Sequence, residues 1–356
     1  MGMRIGIVGG GKFGLMHLRT FTQLRGDGLV ESVALAEINP SLLEQRCREF
    51  DVKGYADHKE MIQRENLDAV TVVTPDYLHR QIALDCIVEG RHVLVEKPLD
   101  TSVEGCRRIA DAAETAGVLL QVDFHKRFDP FHIELRQAVE RGELGTPEYG
   151  YAWMEDRIEV PRDWFPHWAG KSSPVWFLGS HMVDLFRWVI GGRNGRRVWA
   201  TGQKRKLSSL GIDAYDAVEA KVEFEDGISF HLDVSWILPD SFEATVNQGI
   251  RIVCTDGVGE VDSQDRGARM ASTKGRNRTF NPIFFLEQPG PDGSPRYCGY
   301  GVDSIADFAK NVAFLKSGGG LKALARRYAD ARDGMEVTRI CEGIHKSLEA
   351  GGIVTL

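Results

Sequence analysis

The six cysteines, Cys47, Cys86, Cys106, Cys254, Cys298 and Cys341, are scattered without a CxxC pair, and no Cys or His pair has ligand spacing. That excludes a zinc ribbon or a disulfide framework, leaves reduced thiols as the simple reading, and means that no metal site is expected. No apolar run approaches the ~18 residues of a membrane span. Basic charge is in deficit too: the net charge of −7 offers no field for nucleic acid or an anionic membrane. The Lys204-Arg205-Lys206 run and Arg193, Arg196 and Arg197 are local exceptions that read as solvated loop charge. No repeat or low-complexity segment is present. Gly6 stands where a myristoylation signal needs Ser or Thr, and a strand starting at Arg4 leaves no room for a signal peptide, so a cytoplasmic location is expected. What remains, 356 residues with 42% apolar and 27% charged content, suits a globular protein of two domains.

The first fourteen residues hold the strongest signal. Arg4 to Val8 is a short apolar strand, and Gly9, Gly11 and Gly14 form a GxGxxG turn, with Lys12 and Phe13 inside it, that opens a helix. In a dinucleotide fold Gly9 permits the tight turn, Gly11 lets phosphate approach the backbone, and Gly14 lets helix and strand pack closely. The free N–H groups and positive dipole end of the helix then attract the pyrophosphate. Taken alone the motif also fits ordinary turn chemistry. The next strand, Val33 to Ala36, ends in Glu37, roughly where the ribose-binding acid belongs. Glu37 would repel a 2′-phosphate, and Ile38-Asn39 supply no Arg to offset it, so NAD is favoured over NADP. A solvated acid at a strand end is the plainer alternative. Asn39-Pro40 then reads as an N-cap with Pro at the first helical position.

To about residue 125, apolar strands (Ala69 to Val73, Val93 to Val95, Leu119 to Val122) alternate with helices near 79–89 and 102–116, which predicts a doubly wound parallel sheet. Thr101-Ser102-Val103-Glu104 resembles a capping box, and Gly117 suits the C-terminal stop. After Asp129-Pro130 a helix around 131–141 leads into alternating runs, Tyr149 to Met154, Ala217 to Phe224 and Ile228 to Val234, with the period of half-buried antiparallel strands. Glu225-Asp226-Gly227 predicts a hairpin turn between the last two. All seven tryptophans fall in this second part, and core packing is expected for most of them. The stretch 263–299, rich in Gly, Pro, Arg and Asn, predicts long connections or a flap, with a final helical region from 303.

Ligands of an open parallel sheet bind beyond the carboxyl ends of its strands. Four junctions are informative there: the glycine turn, Glu37, Thr74-Pro75-Asp76-Tyr77-Leu78-His79, and Glu96-Lys97-Pro98. Lys97 is the candidate proton-exchanging residue, because an amine at a buried sheet edge, near a nicotinium cation, titrates closer to neutrality. Spacing alone also allows Lys97 as a structural ion-pair partner of Glu96. His17, on the first helix, reads as structural.

Together these motifs, with Gly14-x-x-His17, Thr74-Pro75-x-x-x-His79, Glu96-Lys97-Pro98-Leu99, Phe124-x-x-Arg127-Phe128-x-Pro130 and Gly179-Ser180-His181-x-x-Asp184-Leu185, resemble the glucose-fructose oxidoreductase / inositol 2-dehydrogenase (Gfo/Idh/MocA) family over nearly the whole chain. The resemblance implies an α/β N-terminal Rossmann domain (1–126) and a C-terminal α+β domain (127–356) with an open, mostly antiparallel sheet used for homo-dimer or homo-tetramer contacts. It implies oxidation or reduction of a secondary hydroxyl or carbonyl on a sugar, cyclitol or derivative with NAD or NADP. Lys97 matches the family's catalytic lysine, usually followed by a cis proline, here Pro98. His181 matches the histidine that contacts substrate and can relay a proton, and Trp164 a tryptophan near the nicotinamide, although Phe165 stands where Arg is more usual. Cofactor contacts are thus expected at Gly9, Gly11, Lys12, Phe13, Gly14, Glu37, Thr74, Pro75, His79, Glu96, Lys97 and Trp164. Substrate contacts are expected at Lys97, His125, Phe177, His181 and Asp184.

One departure stands out: the family often has an acid or amide four residues before the histidine, and here that residue is Phe177. A lysine, aspartate and histidine relay therefore does not carry over whole, Ser172-Ser173-Pro174 replaces family glycines, and an inositol-like substrate is disfavoured. His125, Asp163 and His167 are alternative polar groups. Two other functions stay open: action on a sugar acid or nucleotide sugar held by Arg157, Arg162 or Lys171, and a dinucleotide-binding regulator without turnover.

Overall fold

The computed structural model describes residues 2–262, 267–272, 275–291 and 293–356. Strands β1 (Met3–Val8), β2 (Val30–Ala36), β3 (Lys53–Tyr55), β4 (Ala69–Val72), β5 (His92–Glu96) and β6 (Leu120–Asp123) alternate with helices α1 (Lys12–Gly26), α2 (Pro40–Phe50), α3 (His58–Arg64), α4 (His79–Val88) and α5 (Val103–Ala116). The sheet is parallel throughout in the order β3-β2-β1-β4-β5-β6, the doubly wound dinucleotide-binding arrangement. Its central strands are buried on both faces, which is why they read as continuous apolar runs. Asn39 caps α2 by accepting from the Leu42 amide, as its sequence suggested. On α5 the cap is Ser102 rather than Thr101: its hydroxyl accepts from Gly105, which moves Glu104 off the position a capping box requires.

The second group opens with α6 (Pro130–Glu140), followed by β7 (Pro147–Arg157), α7 (Ser180–Val189), β8 (Gly195–Gln203), α8 (Lys206–Ser209), β9 (Ala217–Phe224), β10 (Ser229–Leu238), β11 (Val246–Cys254) and β12 (Val258–Asp262). The stretch 263–299, expected as long connections or a flexible flap, contains two hairpins among its described residues. They are β13 (Ala268–Ser272) with β14 (Gly275–Phe280), and β15 (Leu286–Pro289) with β16 (Pro295–Cys298); residues 263–266, 273–274 and 292 of that stretch lie outside the described ones. Helices α9 (Tyr300–Lys316) and α10 (Ala331–Ala350) and strand β17 (Val354–Thr355) complete the chain.

Seven of these strands form a sheet in the order β12-β11-β7-β10-β9-β8-β17, antiparallel except for β7 beside β10. The β9–β10 hairpin turns at Gly227, whose φ of 87° requires glycine. One face is apolar and covered by α7, whose Phe186 stacks on Phe230 at 4.3 Å. The other carries Glu219, Lys221, His231, Tyr149, Tyr151 and Trp199 in the open. Core burial of most tryptophans is not what is found. Only Trp176 and Trp236 are buried, Trp164 and Trp199 are exposed, and Trp153, Trp168 and Trp188 lie between.

The division of the chain also differs from a single cut at 126/127. Residues 1–125 form one compact unit together with Phe284–Met335, while 126–283 and Glu336–Leu356 form the other. The reason is apolar area: Ile305, Phe308 and Val312 of α9 are fully buried in the same core as Ile5, Leu18, Phe21 and Leu35. No helix among the described residues is long and apolar enough to cross a membrane.

Candidate active site

At the end of β1 the three glycines are there for distinct steric reasons. A Cβ on Gly9, whose φ is 104°, would meet the Val73 carbonyl oxygen at 2.2 Å, and one on Gly14 would meet the Gly9 carbonyl oxygen at 2.0 Å. A Cβ on Gly11 would meet nothing within 4 Å, so the backbone there is bare on its outer side. Gly11 is also the N-cap of α1, with no side-chain cap and no acid in the first turn. A helix start of this kind suits a diphosphate. Glu37 holds the turn from the neighbouring strand: Oε2 accepts the Gly10 amide at 2.7 Å and Oε1 the Asn39 amide at 2.8 Å. Lys12 is exposed and Phe13 half-buried beside the turn, where the Phe13 ring stacks with that of His125. His125 in turn packs against Phe284 and Tyr300.

Beyond β5, Lys97 is only 7% exposed, and its bond to Pro98 is cis, as the resemblance implied. Thr74 and Pro75 close β4 half-buried. His79 does not offer its ring to a cofactor: Nδ1 lies 2.7 Å from the Pro98 carbonyl oxygen and Nε2 2.9 Å from that of Thr74. It ties the turn after β4 to the turn that carries Lys97. Glu96 also points elsewhere. It is buried, with Oε1 3.2 Å from His17 Nε2, and Asp123 Oδ2 lies 3.9 Å from the same nitrogen.

The second unit carries the other expected residues. A π-type turn at Val175–Gly179 leads into α7, which places Phe177 and the buried His181 four residues apart. Phe177 packs edge-on against Phe165 and Trp168, at 5.6 and 5.1 Å between ring centres, and touches Trp236. Trp164 lies at the exposed margin of this cluster, edge-on to Phe165.

Residues 3–124 match the model of an oxidoreductase family with an NAD-binding Rossmann fold, and 132–260 match the GFO/IDH/MocA C-terminal domain. The chain belongs to the Gfo/Idh/MocA oxidoreductase family. It is 30% identical over 236 residues to inositol 2-dehydrogenase 2 of Saccharopolyspora erythraea, spanning 66% of this chain and 67% of that one. It is 26% identical over 242 residues to the NAD(+)-dependent scyllo-inositol 2-dehydrogenase of Bacillus subtilis, 67% of this chain and 68% of that one. Among solved structures, myo-inositol 2-dehydrogenase from Lactobacillus plantarum superposes over 100% of both chains with a TM-score of 0.80 at 19% identity, which shows the fold.

Within this Gfo/Idh/MocA frame, Asp184 is not an open substrate ligand. Its carboxylate accepts two hydrogen bonds from Arg127, Nε to Oδ2 at 2.8 Å and Nη2 to Oδ1 at 2.5 Å, in a buried fork. Asp123 is a further residue of this edge, not singled out above, and its signal in the sequence is the same as that of Glu96: it stands at the carboxyl end of β6 as Glu96 does of β5. Burial of the three facing groups has consistent effects. It holds His17 down to about 4 and, with the charge of Glu96, lifts Asp123 to about 8. Glu96 is raised for the same reason, against the opposing pull of the Lys97 and His79 charges.

Proposed function

We propose that the protein is an NAD-dependent dehydrogenase that exchanges a hydride with a secondary alcohol, or the matching ketone, of a cyclitol or sugar-like polyol. The observation that carries this reading is a buried Lys97 at the carboxyl edge of a sheet whose glycine turn and Glu37 suit an adenine dinucleotide. NAD, when bound, supplies the hydride acceptor. Lys97 takes the hydroxyl proton during oxidation and returns it in reduction, as a desolvated amine can near neutral pH. Gly11 and the first turn of α1 hold the diphosphate, and Glu37 accepts from the ribose hydroxyls, which disfavours a 2′-phosphate and so NADP. The family resemblance supports His181 as the residue that would contact the substrate hydroxyl and Trp164 as one that would serve the nicotinamide. The relatives named for inositol dehydrogenation support a cyclitol; the aromatic cluster around Phe177 supports a substrate that presents C–H surface there.

A charged substrate is less well supported. Arg157 is engaged by Glu159 and the Thr245 hydroxyl, and Arg162 by Asp163 and Asp240. The open sheet face with Tyr149, Tyr151 and Trp199 supports a homo-dimer or homo-tetramer. Mixing the protein with NAD and a panel of inositols, aldoses and uronic acids, and following reduced-nicotinamide absorbance, tests the reading. Turnover of a polyol or aldose is the expected result. Measurable NAD binding with no turnover of any of them would instead favour a regulator.

A further inference from the structure

Three ionisable side chains from three elements meet inside the first unit. Glu96 and Asp123 are direct partners in the register of the parallel strands β5 and β6, so their side chains leave the sheet as neighbours. His17 reaches them from α1, and one nitrogen or oxygen of each of the three lies within 4.8 Å of the others. All three are almost fully buried. Two carboxyl groups in hydrogen-bonding contact away from water cannot both be ionised near neutral pH.

We propose that Glu96 and Asp123 share one proton at pH 7, steadied by a neutral His17, and that the single buried negative charge of the pair sets the pH at which the adjoining Lys97 releases its proton. The role is one of positioning charge rather than of touching substrate, and its catalytic meaning rests on the reading of Lys97 given above. The groups facing the pair from each packed element are His17 on α1, His79 at the start of α4, Lys97 after β5 and the Ser304 hydroxyl of α9. None of them supplies a second negative charge. In alcohol oxidation the proton leaving the substrate makes Lys97 an ammonium, and the pair's one charge then neutralises it. Without that charge the ammonium loses the attraction of the neighbouring carboxylate and Lys97 titrates lower.

Amide substitutions separate charge from shape. Glu96→Gln or Asp123→Asn leaves one carboxyl group with an amide donor beside it, so each single variant keeps one charge but no shared proton. The double variant keeps the shape and has no charge. Infrared spectroscopy of the wild type at pH 7 is expected to show a protonated-carboxyl stretch that both single variants lose. In lysine-labelled protein, with the Lys97 signal assigned through Lys97→Arg, the NMR titration midpoint of Lys97 is expected about 1 unit or more lower in the double variant than in either single one. A midpoint common to all three overturns the proposal. So does a wild type without the carboxyl band, or a divalent metal ion retained at the cluster in elemental analysis. The infrared comparison decides the shared proton even if the double variant does not fold. Both measurements are made without substrate, so inactivity toward every polyol would count against the proposed reaction and leave this proposal standing.

Discussion

Glu37 accepts the Gly10 amide at 2.7 Å, which ties the glycine turn after β1 to the acid that follows β2. In the function proposed above the same carboxylate that shapes the turn also accepts from the ribose, so its removal is expected to act on both. Glu37→Ala should weaken NAD about 10- to 100-fold, the range for hydrogen bonds to a charged group, and should raise the ratio of NADP to NAD affinity. Titration calorimetry with each dinucleotide measures this; an unchanged ratio removes Glu37 from cofactor selection.

Lys97→Ala is expected to lower kcat by about 10²- to 10⁴-fold, the usual contribution of a positioned acid–base group, with a much smaller loss of NAD affinity. Steady-state kinetics together with dinucleotide binding separates the two quantities. Full kcat in the variant sinks the assignment.

The fork between Arg127 and Asp184 is buried, with side-chain exposures of 11% and 1%. Arg127→Ala removes both of these charge-assisted hydrogen bonds from the buried Asp184 carboxylate and should destabilise the second unit by about 3–5 kcal/mol. An apolar replacement of both partners should restore most of that loss. Urea unfolding of the three proteins checks it, and equal midpoints for Arg127→Ala and wild type contradict it.

Stability should depend on pH through His17 and Asp123. A histidine held down to about 4 from 6.5 adds stability above 6.5 and loses it as pH falls toward 4. A carboxyl group lifted from 3.8 to about 8 adds stability at low pH and loses it as pH rises through 8. The two slopes oppose each other between 4 and 6.5, and above 6.5 only that of Asp123 remains. Wild type is therefore expected to lose stability between pH 6.5 and 8, by up to ~1.4 kcal/mol per pH unit. Asp123→Asn should flatten that window and uncover the loss below 6.5. Unfolding midpoints measured at stepped pH decide it; a wild-type curve flat from 6.5 to 8 is the contrary result.

Much of the first unit was legible because its central strands are buried on both faces and its turns and helix ends carry strong local chemistry, as at Gly9, Asn39-Pro40 and Gly117. The capping residue of α5 was misplaced by one, since Thr101 and Ser102 satisfy the same local rule and only the backbone distinguishes them. His79, Glu96 and Asp184 were expected to face ligands because they stand at the carboxyl edge or in a family motif. Their partners, the carbonyl oxygens of Thr74 and Pro98, His17, and Arg127, depend on packing between elements.

The sequence alone determined the glycine turn, the acid after β2 and the Lys97-Pro98 junction on which the proposed chemistry rests, because each depends on backbone geometry within a few residues. Tertiary structure decided that Phe284–Met335 returns to the first core and that Glu96 meets Asp123 and His17. The physical reason is that charge partnership and shared apolar area follow strand register and helix placement, which are properties of the assembled chain rather than of any local stretch.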